Sequence, residues 1–88
     1  MWFKAQLTAF FFVKMVSVEG KDVHFLLEDK TTGNVVEWTS SKNMYEQGST
    51  YRLKIDGECS RVFVVDDEFN IKATPLICSA TSVEAIND

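Results

Sequence analysis

Apolar and polar residues alternate with a period of two along most of this chain. Between residues 3 and 15 every odd-numbered position is apolar, and most even-numbered positions are polar. Because successive side chains of a strand point to opposite faces, the pattern predicts a long strand with one buried face that ends at Gly20. Phe10 and Phe12 occupy even positions and make this strand apolar on both faces locally.

Residues 22–40 predict a β-hairpin. Two alternating segments flank a polar break rich in turn-forming residues, in which Gly33 accepts a positive φ. A four-residue loop, 30–33, places Phe25 opposite Trp38. In this register Trp38 lies on the buried face, and a slip of one residue would turn it outward.

The segment 41–49 interrupts the alternation and predicts a short helical turn or a loop before the fourth strand. We expect Met44 and Tyr45, its two large apolar side chains, to close one end of the fold.

Two more strands follow this segment. The first alternates strictly over 50–56 and continues through 61–65, with a bulge or bend at Gly57. After an acidic turn at 66–68, residues 69–81 predict the fifth strand, in which Pro75 is expected at a bulge or an edge.

The length of 88 residues fits one domain, with the last residues, 82–88, partly frayed. The apolar N-terminal run is interrupted by Lys14 and is too short and too polar to span a bilayer, so we expect no membrane partner. Cys59 and Cys78 permit one disulfide, but we expect two buried, reduced thiols and hence a cytoplasmic location. With no Cys-x-x-Cys motif and one histidine, no metal or other cofactor is expected.

The order of elements resembles the OB-fold, a five-stranded Greek-key barrel. Two stretches carry the resemblance, which covers roughly residues 5–83. Asp29-Lys30-Thr31-Thr32-Gly33 looks like the Asp-x-Thr-Gly hairpin between strands two and three of many OB domains, with one extra residue. The stretch 46-EQGSTYRLKIDGECS-60 looks like the family's entry to strand four. The predicted class is therefore all-β, an OB-like barrel, and a small SH3-like barrel is the alternative.

The resemblance implies binding of single-stranded nucleic acid or oligosaccharide across strands two and three. Nucleic acid requires flat rings that stack on bases and cations that follow phosphates. Because strands one and four are neighbours in this fold, Lys14, Arg52 and Lys54 are expected to share a stripe. Each candidate also has a structural interpretation, as a solvated strand face or as core. The candidate stacking residues are Phe10, Phe12, His24 and Trp38, and the candidate cations are Lys14, Arg52, Lys54, Arg61 and Lys72.

Charge separates two hypotheses. The net charge is −4, yet residues 1–63 are neutral and the acidic excess lies in the last 25 residues. The first hypothesis is a module for single-stranded DNA or RNA in replication, recombination or a phage-borne setting. The second is a protein-interaction, homo-oligomeric or inhibitor module, favoured by the Phe10 and Phe12 patch and the acidic end. No catalytic triad, phosphate-binding glycine loop or carboxylate pair supports an enzyme.

Overall fold

The structure, a computed structural model, describes residues 1–61 and 63–87. Over this range the chain consists of strands and loops, which confirms the all-β class. None of the described residues forms a helix of the length and apolar character that crossing a membrane requires. The strands are β1 (Trp2–Glu19), β2 (Asp22–Glu28), β3 (Val35–Ser40), β4 (Thr50–Ser60), β5 (Phe63–Val65), β6 (Ile71–Ala73) and β7 (Ile77–Ala85).

Five of these strands form one sheet whose backbone hydrogen bonds run in a closed ring. The order is β1, β2, β3, β7 and β4, which returns to β1. All neighbours are antiparallel except β3 and β7, which are parallel. The ring closes through β1, because its first half pairs with β4 and its second half pairs with β2. Strands one and four are therefore neighbours, as predicted.

A bulge at Lys14 changes which residues of β1 face inward. Val13 pairs with Leu27 and Met15 with Leu26, so Lys14 is an extra residue in the ladder. Val13 is fully buried, but Met15 is turned outward and Val16 packs against the core instead. The prediction of one apolar row as far as Met15 is wrong beyond Val13, because alternation alone does not reveal an unpaired residue.

The hairpin of β2 and β3 has the predicted register, with Phe25 opposite Trp38. The Asp29 N–H donates to the Asn34 carbonyl at 2.9 Å, and the Gly33 N–H donates to the Asp29 carbonyl at 2.7 Å. Gly33 has a φ of 80°, a conformation that is accessible to glycine without strain. The turn chemistry of this loop thus fixes the register, and the prediction is confirmed.

The core fills the inside of the ring and is covered at one end by the loop between β3 and β4. That loop contains no helical turn, so the loop alternative is correct. Tyr45 is buried, whereas Met44 is exposed, so only one of the two residues expected to close this end does so. The buried apolar side chains are Phe11, Val13, Val23, Phe25, Leu27, Val36, Tyr45, Leu53, Ile55, Cys59, Leu76 and Cys78.

Gly57 marks the predicted bulge in β4. The pairing with β7 shifts register between Asp56 and Gly57. A Cβ atom at position 57 would overlap the Ser79 carbonyl oxygen and lie 2.8 Å from the Cα of Ala80. Only glycine therefore permits this close approach of the two strands.

β4 ends at Ser60, so the predicted continuation of the fourth strand through residues 61–65 is wrong. The predicted fifth strand, 69–81, is also wrong, because that segment is divided between β6 and the first part of β7. Part of that predicted continuation, Val62, lies outside the described residues. Instead of extending β4, β5 pairs with β6 in a separate two-stranded hairpin, here called the β5–β6 hairpin. Pro75 lies between β6 and β7, outside both strands. The ring's fifth strand is β7, which continues through part of the segment expected to fray as far as Ala85. Asp88 lies outside the described residues.

Cys59 and Cys78 are directly opposite each other on β4 and β7 and form a disulfide. Both are buried, as predicted, but the expectation of reduced thiols is wrong. Since free thiols were the reason for expecting a cytoplasmic location, that expectation loses its support.

We predict that the disulfide stabilises the fold by about 3 kcal/mol, because it closes a loop of 19-residue separation in the unfolded chain. Mass spectrometry after thiol alkylation, without and with reductant, should find no free thiol before reduction. Thermal unfolding should then shift to lower temperature in reductant. The double variant Cys59→Ala/Cys78→Ala should unfold at the same temperature with and without reductant, and any reductant effect on it would contradict this assignment.

We predict that Gly57→Ala destabilises the fold by about 2–3 kcal/mol through overlap with β7. The control is Gly20→Ala, where φ is +62° but no atom lies within 4 Å of the new Cβ. This control should cost only about 1 kcal/mol. Urea unfolding of both variants measures the difference, and equal effects would show that no close approach exists at Gly57.

Candidate functional site

The outer face of β1 and β4 brings an aromatic ring and two cations together. Phe10 is directly opposite Arg52, and Thr8 is directly opposite Lys54. Because side chains alternate along a strand, these residues point to the outside of the closed sheet, while Phe11 and Leu53 point into its core. Phe10 is 65% exposed, so its ring is available to a ligand.

Phe12, two residues along β1, adds a second ring and two more cations. The Nζ of Lys30 lies 4.0 Å from the centroid of the Phe12 ring, within cation–π range. Opposite Phe12 is Glu28, whose Oε2 is 3.9 Å from the Nζ of Lys14. We call this surface the outer patch; its members are Phe10, Phe12, Lys14, Lys30, Arg52 and Lys54.

Lys30 was not among the residues proposed from the sequence. It lies in the β2–β3 loop, and only the pairing of β1 with β2 brings it over Phe12. That pairing depends on the bulge at Lys14, for which the sequence carries no clear signal.

The outer patch groups four cations on a chain of net charge −4. Among the described residues, Glu28 lies beside Lys14, and Glu84 lies directly opposite Lys54 on β7. Cations grouped on one surface in this way attract anions at low ionic strength.

The outer face of β2 and β3 has a different character. It forms a groove of about 300 Å³ whose polar lining is Ser17, His24, Glu37 and Thr39. The described residues that line it include neither lysine nor arginine. The ring Nδ1 of His24 is 2.9 Å from the Thr39 hydroxyl, and its Nε2 is 3.5 Å from a Glu19 carboxylate oxygen. Histidine and the cations thus lie on separate parts of the surface.

Trp38 faces inward. Its ring lies against Phe25, with centroids 5.3 Å apart and planes 26° apart, and its centroid is 5.9 Å from that of Tyr45. It is only partly buried and also borders the groove. The ring faces engaged by these neighbours are not open to an external base, so Trp38 belongs mainly to the aromatic cluster at the end of the core.

Two predicted cations lie away from the outer patch. Arg61 lines a cleft of about 420 Å³, which we call the base cleft, together with Met1, Phe3, Phe63 and Leu76. Lys72 lies on the β5–β6 hairpin, where its Nζ is 3.8 Å from the Asp66 carboxylate. Backbone hydrogen bonds, chiefly from Asn70, hold the pKa of Asp66 below its ordinary value.

Comparison of the chain with protein-family models, with curated proteins and with solved structures returned no match.

The aromatic cluster generates a prediction about Tyr45. Its hydroxyl is buried without a hydrogen-bond partner among the described residues. Burial, followed by the neighbouring Tyr51, raises the pKa of Tyr45 above its ordinary value of 10.0. The unfolded chain therefore ionises first, and the stability that this shift provides is present below pH 10 and is lost as pH rises through the folded-state pKa.

We expect Tyr45→Phe to remove a late step from the ultraviolet titration of phenolate. Its stability at neutral pH should equal or exceed that of the wild type, because an unpaired buried hydroxyl contributes nothing favourable. Tyr51→Phe is the control and should lower stability, because the Tyr51 hydroxyl accepts the Glu46 N–H at 3.0 Å. A Tyr45→Phe variant that loses more than about 1 kcal/mol would reveal a hydrogen bond at this hydroxyl.

Proposed function

We propose that this chain is an OB-like binding module whose outer patch binds single-stranded nucleic acid. The observation that carries the proposal is the exposed Phe10 ring directly opposite Arg52, with Lys14, Lys30 and Lys54 on the same surface. Single-strand recognition without sequence preference uses this pairing of ring faces with cations that follow the backbone.

The OB-like part of the proposal is supported by the strand order. β1, β2 and β3 are consecutive antiparallel neighbours, and β4 returns to lie beside β1. This spatial order is that of a Greek key. β7 completes the closed sheet between β3 and β4. We therefore favour an OB-like barrel over an SH3-like barrel for these five strands.

In the proposed complex a base stacks on Phe10 while phosphates lie near Arg52 and Lys54. Lys30 over Phe12 and Lys14 beside Glu28 extend the cationic surface along β1. Each stacked base contributes about 1–3 kcal/mol, and each neutralised phosphate makes the affinity depend on salt.

The outer patch differs in position from the site that the OB resemblance implies. Binding across β2 and β3 would place the ligand over the groove with His24, which offers no lysine or arginine among its lining residues. We therefore propose that the phosphates of the nucleic acid contact β1 and β4. The His24 groove then contacts, at most, the part of the nucleic acid that extends beyond the outer patch.

A protein-interaction or inhibitor module remains the second candidate. The observation that favours it is the β5–β6 hairpin, which exposes Phe63, Val65 and Ile71 and ends in an acidic turn. The absence of enzymatic activity and of a cofactor, the cytoplasmic location and a replication, recombination or phage setting remain predictions.

We predict that the protein binds a labelled single-stranded oligonucleotide in fluorescence anisotropy at low salt. Phe10→Ala should weaken binding by about tenfold, the loss of one stacked base. Lys54→Gln should weaken binding and reduce the slope of log affinity against log salt by about 0.7, because one phosphate contact is lost.

Two matched variants control this experiment. Phe69→Ala removes an exposed ring, and Lys4→Gln removes a cation, which lies opposite Glu58 at the far end of the same β1–β4 face. Both should bind as the wild type does. The proposal fails if no binding occurs at about 50 μM protein, or if the affinity does not change with salt.

A further inference from the structure

The β5–β6 hairpin stands apart from the ring. Among the described residues, no Cα of β5 or β6 lies within 8 Å of a Cα in any other strand. Both connections to the hairpin leave the ring near the disulfide, since Cys59 is the penultimate residue of β4 and Cys78 the second residue of β7. The hairpin is thus a projection held at its base.

One face of this projection is entirely apolar. Cross-strand pairing puts Phe63 with Ala73 and Val65 with Ile71, so all four share a face. Phe63 is 62% exposed and Ile71 is 71% exposed. An isolated two-stranded hairpin is marginally stable in water, so a surface that covers this face would stabilise it.

The turn at the tip is also unusual. Phe69 follows a tight turn in which its N–H donates to the Asp66 carbonyl at 3.0 Å, and it has a φ of 63°. This left-handed conformation costs a non-glycine residue about 1–2 kcal/mol. The residue in this conformation is nevertheless a phenylalanine, and its side chain is 86% exposed. The strained turn therefore holds an aromatic ring in solvent.

The outer edge of β5 pairs with no other strand among the described residues. The Asp66 N–H donates to the Asn70 carbonyl, and bonded and non-bonded pairs alternate along an antiparallel ladder. Val64 is therefore bonded to Lys72 on β6, and the N–H and C=O groups of Phe63 and Val65 point to the opposite edge. No other described strand pairs with that edge.

We propose that β5 pairs antiparallel with β5 of a second copy of this chain, about a two-fold axis at Val64. Phe63 and Val65 of each copy then exchange N–H···O=C bonds with Val65 and Phe63 of the other. The two hairpins form a four-stranded sheet with a continuous apolar face. The contact is isologous, so it closes at a dimer.

Charge complementarity selects a second copy as the occupant. Both Arg61 and Asp67 lie beyond the ends of β5. Extending the register past these ends brings Asp67, in the turn of one copy, near Arg61 of the second copy, and the reverse contact forms at the other end. The acidic tip thus meets the basic residue at the base of the neighbouring hairpin. Opposite charges placed in this way fix the register of an interface.

The tip also meets an apolar cleft. Phe69 lies at the same tip as Asp67, so in the proposed dimer it comes near Arg61 of the second copy. Arg61 lines the base cleft together with Phe3 and Leu76. That cleft, of about 420 Å³, has room for a phenyl ring. A nucleic acid or an anionic membrane fits less well, because Asp66, Asp67 and Glu68 would approach it first.

Sedimentation velocity of the full chain, with its disulfide intact, tests the proposal. The hairpin is smaller than a standard interface, so we expect a dimer that forms between about 10 μM and about 1 mM. Val65→Pro, which removes a free-edge N–H, should weaken dimerisation by at least about tenfold. Val65→Ala keeps that N–H and should weaken it less.

A charge exchange tests the register separately. Asp67→Arg and Arg61→Asp should each weaken dimerisation by about tenfold, and the double variant should restore it. Asp22→Arg, a reversal in the β1–β2 turn, should have no effect. A protein that is monomeric throughout, a dimer insensitive to Val65→Pro, or a double variant that stays monomeric would overturn the proposal. Binding of an oligonucleotide or of anionic vesicles through the hairpin by a monomer would also overturn it.

Discussion

The structure depends on the pairing of one long strand with two others. β1 supplies its first half to β4 and its second half to β2, and this double pairing closes the ring around the core. A strand that joins both neighbours must bend, and the extra residue at Lys14 lies where its pairing passes from one to the other. The same bulge brings Val16 inward in place of Met15, so the apolar inner row of β1 extends from Ala5 to Val16.

The closed ring separates two surfaces of opposite character. The β1–β4 side carries exposed Phe10 among cations, while the β5–β6 hairpin carries an apolar face and an acidic tip. Net charge hides this division, since a value of −4 describes neither surface. A ligand that is attracted to one surface by charge is repelled by the other, so the two proposed contacts do not compete.

The disulfide lies at the base of the β5–β6 hairpin, between two strands of the closed sheet. It joins β4 to β7 inside the core, directly below the point where the chain leaves the ring for the hairpin. The disulfide thus ties together the two strands from which the hairpin leaves the sheet. Among the described residues, β5 and β6 themselves make no contact with another strand of the sheet. The edge of β5 thus stays open to another strand.

The all-β class, the β2–β3 hairpin with its register and the bulge at Gly57 are predictable from the sequence, and the inward side of Trp38 is favoured by it. All of these follow from alternation and turn chemistry, which act between residues close in the chain. Much of the candidate site could also be read from alternation, because it put Phe10, Arg52 and Lys54 on exposed faces. The position of Lys30 over Phe12, the separation of Arg61 from the cations of the outer patch, the disulfide and the independent β5–β6 hairpin are visible only in the folded chain. These depend on which distant strands pair and where a ladder gains a residue, and local patterns do not encode that choice.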